Sequence, residues 1–118
     1  MRILVVDDSI AVRSRLVFRL REAGHEVVGE AGDAEAALRM ARLRDPEAVV
    51  LDLGLPGRSG LDILPELKAS GRGPLVLVLT NAAHARGRCL ALGADFFLDK
   101  SSAFDVSDAL LACLGAKG

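Results

Sequence analysis

Short apolar runs that end at polar or charged side chains constrain the fold of this chain more than any other feature. The runs are rich in valine, leucine and isoleucine, which favour strands, and a helical stretch follows each of them. They lead to Asp7 and Asp8, to Asp52, to Thr80 and to Lys100. Runs without polar alternation are typical of strands covered on both faces. The pattern therefore predicts an α/β fold with a parallel sheet and right-handed crossovers.

The spacing predicts five strands and five helices. The strands are expected at residues 2–6, 26–31, 47–51, 75–79 and 96–98, and the helices at about 10–23, 34–44, 60–69, 83–92 and 103–114. Ser9 and Asp33 are expected to cap the first two helices. Pro65 should kink the third helix or delay its start, and Gly87 should weaken the fourth. Four residues follow the last predicted helix, so no output domain is expected within this chain.

Length and composition limit the classes of function. The 118 residues fit one domain, expected to cover residues 1–118, and an apolar content of 51% argues against disorder. No apolar run is long enough for a membrane span, and no secretory signal follows Met1. Fifteen basic and 16 acidic residues give no reason to expect nucleic-acid or membrane binding. Cys89 and Cys113 form no disulfide framework, so a cytoplasmic location is expected.

The side chains at the strand ends predict a ligand site. In an open parallel sheet the carboxyl ends of the strands line the crevice, so Asp7, Asp8, Asp52, Thr80 and Lys100 should converge. Three carboxylates repel one another unless a cation lies among them, and an all-oxygen ligand set favours Mg²⁺ or Mn²⁺. A carboxylate can attack phosphorus to form an aspartyl phosphate, and an ammonium and a hydroxyl can hold the phosphoryl group.

Four motifs, in this order and at domain-scale spacing, make the chain resemble the receiver domains of two-component response regulators. They are Val5-Val6-Asp7-Asp8-Ser9, Leu51-Asp52-Leu53-Gly54-Leu55-Pro56-Gly57, Leu79-Thr80 and Gly93-Ala94-Asp95-Phe96-Phe97-Leu98-Asp99-Lys100. The resemblance covers nearly the whole chain. It implies a flavodoxin-like (βα)5 fold, doubly wound, with five parallel strands in the order 2-1-3-4-5. It also implies a signalling domain that catalyses at most its own phosphorylation and autodephosphorylation, rather than an enzyme.

The resemblance assigns the metal site and the phosphoacceptor residue by position. Asp52 is implied as the phosphoacceptor and as a ligand of Mg²⁺ or Mn²⁺. Asp8 is implied as a direct metal ligand, and Asp7 as a ligand that acts mostly through water. The carbonyl of Gly54 matches the family's backbone metal ligand.

The resemblance also assigns phosphate contacts, a switch and partners. Thr80, Asn81 and Lys100 are implied to contact the phosphoryl group, and Thr80 and Phe97 to repack after phosphorylation. That repacking is implied to change the face formed by the fourth helix, the fifth strand and the fifth helix. The implied partners are a sensor histidine kinase or a histidine phosphotransfer domain, and a downstream protein.

Three features of the sequence raise further hypotheses. Ser101 follows Lys100 where the family commonly has a cis proline, so a trans bond is expected here. Asn81 is larger than the alanine or glycine of many relatives, and we expect it to slow phosphotransfer or hydrolysis. The first helix carries several arginines, interpreted as a solvated face; a pairing role of Arg13 with the kinase is a hypothesis.

Other functions are compared with this interpretation. A pseudo-receiver that docks partners without phosphorylation stays open because of Asn81 and Ser101. A metal-dependent phosphohydrolase would carry an Asp-x-Asp pattern after the first strand, where this chain has Ser9. A flavodoxin-like cofactor carrier would need a phosphate-binding loop at that position and aromatic side chains for the flavin, and the chain has no Trp or Tyr.

Overall fold

The computed structural model describes residues 1–100 and 106–117. Its strands are β1 (Arg2–Val6), β2 (Glu26–Ala31), β3 (Ala48–Leu51), β4 (Leu75–Thr80) and β5 (Phe96–Asp99). They form one sheet in the order β2-β1-β3-β4-β5, and every neighbouring pair is parallel. The predicted α/β architecture and the strand order are confirmed.

Helices connect the strands as the sequence predicts. They are α1 (Ile10–Glu22), α2 (Ala34–Arg44), α3 (Gly60–Lys68), α4 (Arg86–Ala91) and α5 (Val106–Lys117), and a short 3-10 helix (Ala83–Ala85) precedes α4. The predicted start of the last helix near residue 103 lies outside the described residues. Within the described part of the chain, none of the helices has the length and apolar character needed to cross a bilayer.

Capping side chains set the start of the three helices that follow β1, β2 and β3. The side-chain oxygens of Ser9, Asp33 and Ser59 accept hydrogen bonds from backbone N–H groups of the first helical turn. The predicted caps at Ser9 and Asp33 are confirmed. Ser9 lies in the loop that follows Asp7 and Asp8, and Ser59 lies in the loop that follows Asp52. These two caps therefore also limit the conformations of the loops that carry the acidic side chains.

The hydrophobic core has two layers, one on each face of the sheet. Alternate residues of β1 contribute to different layers: Leu4 packs with α2, α3 and the region of α4, whereas Ile3 packs with α1 and α5. The central strands β1, β3 and β4 are almost fully buried, as expected for strands covered on both faces. The edge strand β2 is only partly covered.

Two helices contain residues that disfavour a regular helix. Pro65 lies inside α3, yet the helix begins at Gly60 without delay, because Ser59 caps its first turn. The fourth helical segment is weak, as predicted. It splits into the 3-10 helix and a regular α4 of six residues that contains Gly87. Neither part of this segment has a side-chain cap, and the low helix propensity of glycine adds to the weakness.

Candidate functional site

The carboxyl edge of the sheet brings together the predicted polar side chains. Asp7 follows β1, Asp52 follows β3, Thr80 ends β4 and Lys100 follows β5, so parallel pairing places them side by side. They line one open cavity of about 590 Å³, which Asp8, Gly54 and Asn81 also line. Of the site residues predicted from the sequence, Phe97 alone is not in this lining. We call Asp7, Asp8, Asp52, Thr80 and Lys100 the acid pocket.

Three carboxylates in the acid pocket could hold a metal ion. Asp7, Asp8 and Asp52 each offer one oxygen within 4.8 Å of the others. Asp7 is 2% exposed and Asp52 8% exposed, whereas Asp8 is exposed to solvent. The donors are all hard oxygens and one side of the set is open, which leaves room for water ligands. This donor set fits Mg²⁺ or Mn²⁺.

Asp7 is held on both carboxylate oxygens. The backbone N–H of Ser9 donates to its Oδ1 at 2.9 Å, and Lys100 Nζ donates to its Oδ2 at 2.5 Å. Its own N–H donates to the carbonyl of Ala31 on β2 at 3.0 Å. A nearly buried carboxylate is costly unless it is paired and hydrogen-bonded, and these contacts meet that requirement.

Asp52 is fixed by the tight turn after β3. The N–H of Gly54 donates to Asp52 Oδ1 at 3.3 Å, and Lys100 Nζ lies 3.4 Å from Oδ2. Gly60 packs against the backbone of this turn, since a Cβ at that position would lie 2.6 Å from the Asp52 carbonyl oxygen. The first residue of α3 therefore has to be a glycine, and its close approach fixes the backbone that carries Asp52.

Lys100 places its ammonium between Asp7 and Asp52. Its backbone N–H donates to the Thr80 carbonyl at 2.8 Å, which extends the β4–β5 pairing to the edge of the cavity. Among the described residues that line the cavity, it is the only lysine or arginine. Three carboxylates therefore share one ammonium, and the pocket attracts a further cation.

The predicted switch and phosphate-contacting residues lie at different depths. Thr80 is 3% exposed, and its Oγ1 accepts from the N–H of Ala82 at 3.3 Å. Asn81 is exposed at the cavity rim. Phe97 is buried in the layer of α2, α3 and α4, with the guanidinium carbon of Arg86 6.0 Å from its ring centroid. Phe97 pairs with Val78, two residues before Thr80, so Thr80 and Phe97 share one face of the sheet.

The structure adds residues that the sequence reasoning did not assign to the site. Ser59 and His84 line the cavity, and His84 is exposed at its rim. Both residues lie in the segments that follow β3 and β4, and this position could have indicated from the sequence that they line the site. The peptide bond between residues 100 and 101, for which a trans bond was expected, lies outside the described residues.

The arginines of α1 do not form one solvated face. Arg15 and Arg21 are exposed as expected. Arg13 instead points inward: its Nη1 donates to the Asp7 carbonyl at 2.7 Å, and its side chain is only 18% exposed. The solvated-face interpretation is therefore wrong for Arg13, because the β1–α1 loop offers an acceptor directly beneath the first turn of the helix.

Comparison with known protein sequences identifies relatives among response regulators. A family model described as the response regulator receiver domain matches residues 3–111. The two-component response regulator PhoP of Pseudomonas aeruginosa is 40% identical over 116 residues, which cover 97% of this chain and 51% of that protein. A putative transcriptional regulator of the same organism is 37% identical over 113 residues, covering 94% of this chain and 54% of that protein. The chain spans about half the length of these curated relatives.

Solved structures of response regulators have a similar fold. A LuxR-family two-component response regulator from Aurantimonas has a TM-score of 0.85 and 30% identity, covering 98% of this chain and 83% of that chain. A response regulator from Burkholderia pseudomallei, with a phosphorylated aspartic acid, a calcium ion and citrate, has a TM-score of 0.84 and 29% identity. It covers 96% of this chain and 65% of that chain. The flavodoxin-like fold predicted from the motifs is confirmed.

Receiver domains are signalling domains of two-component systems rather than enzymes in the ordinary sense. They act with histidine kinases and with downstream partners, and they generally bind Mg²⁺ at an acidic pocket. The family match over residues 3–111, the strand order and the fold likeness agree. This chain therefore belongs to the response regulator receiver domain family.

Proposed function

We propose that this chain, over residues 1–118, is a phosphoacceptor signalling domain whose Asp52 accepts a phosphoryl group from a sensor histidine kinase or a histidine phosphotransfer domain. The observation that carries the proposal is the meeting of the nearly buried Asp52 with Asp7, Asp8 and Lys100 at one edge of the sheet. The phosphorylated aspartic acid in the related B. pseudomallei regulator supports it. The family assignment supports it as well.

The transfer uses Asp52 as the nucleophile. One of its carboxylate oxygens forms a bond to phosphorus while the bond from phosphorus to the donor imidazole nitrogen breaks, and the imidazole keeps the electron pair. Asp52 is 8% exposed, and the cavity of about 590 Å³ in front of it has room for a phosphoryl group. The turn held by Gly54 and Gly60 keeps this carboxylate oriented toward the cavity.

The metal ligands would be Asp7, Asp8 and Asp52, with the carbonyl of Gly54. When bound, Mg²⁺ or Mn²⁺ would neutralise the charge that builds up between the carboxylates and the phosphoryl oxygens. Asp8 is exposed and free to orient toward an ion, whereas Asp7 is held by Ser9 and Lys100. This difference supports a direct ligand role for Asp8 and a mostly water-mediated role for Asp7.

Three side chains would hold the phosphoryl group. Lys100 Nζ lies 3.4 Å from Asp52 Oδ2, which places its charge beside the position where the phosphoryl oxygens would lie. The hydroxyl of Thr80 accepts from Ala82, which leaves its proton available to donate to a phosphoryl oxygen. Asn81 at the rim would contact the same group and restrict access to it.

Repacking of Phe97 would carry the structural change from the phosphorylation site to the output surface. Thr80 and Phe97 share one face of the sheet, so movement of the Thr80 hydroxyl toward the phosphoryl group would open space beside Phe97. The regular part of α4 is six residues long, lacks a side-chain cap and contains Gly87, so it is poorly suited to resist such repacking. The face of α4, β5 and α5 would then present a changed surface to a downstream protein partner.

Incubation with Mg²⁺ and acetyl phosphate tests the proposal. We expect intact-mass analysis to show one added phosphoryl group per chain, which hydroxylamine removes. The Asp52→Asn variant should gain none. Asp62→Asn, which changes an exposed aspartate on α3, should be modified like the parent protein.

Two results would contradict the proposal. Modification of Asp52→Asn would move the acceptor to another residue. A parent protein that binds Mg²⁺ but stays unmodified by acetyl phosphate and by kinases would be a phosphorylation-independent interaction module.

The role of Asn81 needs its own measurement. Asn81→Ala removes a side chain at the cavity rim while leaving the acid pocket intact. We expect a faster loss of the phosphoryl group, followed by mass analysis over time, because water reaches Asp52 more easily. An unchanged rate would exclude Asn81 from the control of access.

A further inference from the structure

We propose that Arg13 is a positioning residue of the acid pocket, which holds the Asp7–Asp8 segment in the geometry that a divalent cation requires. The inference rests on the proposed function. Arg13 lies in the first turn of α1, and its Nη1 donates to the carbonyl oxygen of Asp7 at 2.7 Å. That carbonyl belongs to the peptide that joins Asp7 to Asp8. Arg13 therefore fixes the backbone between the two proposed ligands.

A second anchor fixes the direction of the guanidinium group. Arg13 Nε lies 3.2 Å from Glu30 Oε1 on the edge strand β2. The guanidinium thus spans α1, β2 and the β1–α1 loop, with only 18% of the side chain exposed. Its planar set of donors reaches an acceptor on each side, which the single ammonium of a lysine does not reproduce.

Gly32 leaves space for this arrangement. A Cβ at position 32 would lie 3.2 Å from Arg13 Nη1 and 4.0 Å from the Asp7 carbonyl oxygen. Any larger side chain would press on the guanidinium at the point where it meets the Asp7 peptide. The absence of a side chain at Gly32 therefore fits the placement of Arg13 behind the ligand-bearing loop.

Arg13 and Lys100 act on Asp7 from different sides. Lys100 donates to the carboxylate of Asp7, so it contacts an oxygen that a metal ion or its water ligands would use. Arg13 donates to the backbone of Asp7, and it does not belong to the cavity lining among the described residues. The charge of Arg13 by itself opposes a second cation, as the charge of Lys100 does. The gain in Mg²⁺ affinity that we infer comes instead from the Asp7 backbone that Arg13 holds, without occupying a ligand atom.

A calorimetric titration with Mg²⁺ tests the inference, since the chain has no Trp or Tyr for intrinsic fluorescence. We expect Arg13→Gln to bind Mg²⁺ about tenfold more weakly, in the range found when groups that orient metal ligands are removed. Arg15→Gln is the matched control: it removes the same charge from the same helix at an exposed position and should bind like the parent protein. Arg13→Lys should fall between the two.

Amide hydrogen exchange without metal supplies a second readout. The N–H of Ser9 donates to Asp7 Oδ1, so it reports directly on the loop. In Arg13→Gln we expect faster exchange at Ser9, while amides of the buried strand Ala48–Leu51 keep their protection. An equal loss of protection at both places would mean that Arg13 only stabilises the fold, and would overturn the inference.

The outcomes separate this inference from the proposed function. A parent protein that binds Mg²⁺, together with an Arg13→Gln variant of equal affinity, overturns the role of Arg13 and leaves the metal site standing. A parent protein that binds no Mg²⁺ overturns both. If Arg13→Gln does not fold, Arg13→Lys decides, because it keeps the charge but loses the paired contacts; an affinity equal to that of the parent protein would overturn the inference.

Discussion

The two edges of the sheet carry charged clusters that differ in the ratio of carboxylates to cationic side chains. The amino edge cluster, around the starts of the strands, consists of two ion pairs, one between Asp45 and Arg72 and one between Asp95 and Lys68. Arg72 Nε lies 3.3 Å from Asp45 Oδ2, and Lys68 Nζ lies 2.7 Å from Asp95 Oδ2. In the acid pocket at the opposite edge, three carboxylates share the single ammonium of Lys100.

The difference separates a structural cluster from a binding site. Where each carboxylate has its own cationic partner, the paired charges offset each other and the contact joins neighbouring elements. Where the carboxylates outnumber the cations, the folded protein keeps mutual repulsion that a metal ion relieves. The comparison therefore predicts that the same kind of substitution has different consequences at the two edges.

The largest effect should come from adding Mg²⁺. At about 100 times its dissociation constant, the ion should raise the free energy of unfolding of the parent protein by about 2.7 kcal/mol, because it binds only the folded acid pocket. Urea unfolding with Mg²⁺ and with EDTA measures this difference. Asp45→Asn in the amino edge cluster should keep the full increase, whereas Asp52→Asn should lose most of it. Equal stabilisation of the two variants would break the contrast between the edges.

Removing one cation from the amino edge cluster should have the next largest effect. Lys68 Nζ donates to the Pro74 carbonyl and to Asp95, and both charged side chains are mostly covered. Lys68→Met leaves the Asp95 carboxylate without its cation and should lower the free energy of unfolding by about 2 kcal/mol. Urea unfolding measures the loss, and Mg²⁺ affinity should stay unchanged.

An exposed residue supplies the control for that experiment. Arg39→Met on α2 replaces a cation that lies in solvent, so its effect on unfolding should be small. If Lys68→Met were no more destabilising than Arg39→Met, the amino edge cluster would not be the structural joint that its contacts indicate.

A smaller effect tests whether a substitution raises or lowers the free energy of unfolding. In metal-free protein, Asp52→Asn should raise the free energy of unfolding by about 1 kcal/mol, because it removes repulsion from two neighbouring carboxylates. Asp45→Asn should lower it, because Arg72 loses its partner. Asparagine tolerates the left-handed backbone of Asp45, whose φ is 44°, so the substitution tests charge rather than conformation. Changes of the same sign would refute the charge-balance account.

Much of the acid pocket could be predicted because it depends on strand ends. The apolar runs before Asp7, Asp52 and Thr80 fix where the strands stop, and parallel pairing then brings those ends together. The side-chain caps at Ser9 and Asp33 were also predictable, because they are local in sequence. These features need only periodicity and turn chemistry.

The remaining contacts depend on tertiary packing that periodicity does not specify. The inward direction of Arg13 requires knowing that the β1–α1 loop presents a carbonyl beneath the first turn of α1. The pair of Lys68 and Asp95 joins residues 27 positions apart on different elements. The sequence predicts the extent and the weakness of the fourth helical segment, but its split into a 3-10 helix and a short α4 depends on how this capless stretch packs beside the edge strand β5.

The smallest expected effect is the pH dependence that Asp45 contributes. The backbone N–H of Arg72 donates to this carboxyl and, with the Arg72 side chain, lowers its pKa below the ordinary value of 3.8. The folded protein therefore binds this proton more weakly than the unfolded chain does, and between the two pKa values stability rises with pH. The contribution is fully present above 3.8 and is lost as the pH falls through the folded value.

Comparison of the parent protein with Asp45→Asn isolates this contribution. The difference in urea midpoint should be complete near neutral pH and should shrink toward zero in acid, since asparagine has no carboxyl to titrate. The effect is small because solvent and salt screen an exposed pair, so high salt should reduce the neutral-pH difference as well. A difference that persisted unchanged in acid would assign the role of Asp45 to its position at the end of α2 rather than to its charge, and the balanced charges of the amino edge cluster would then not explain its stability.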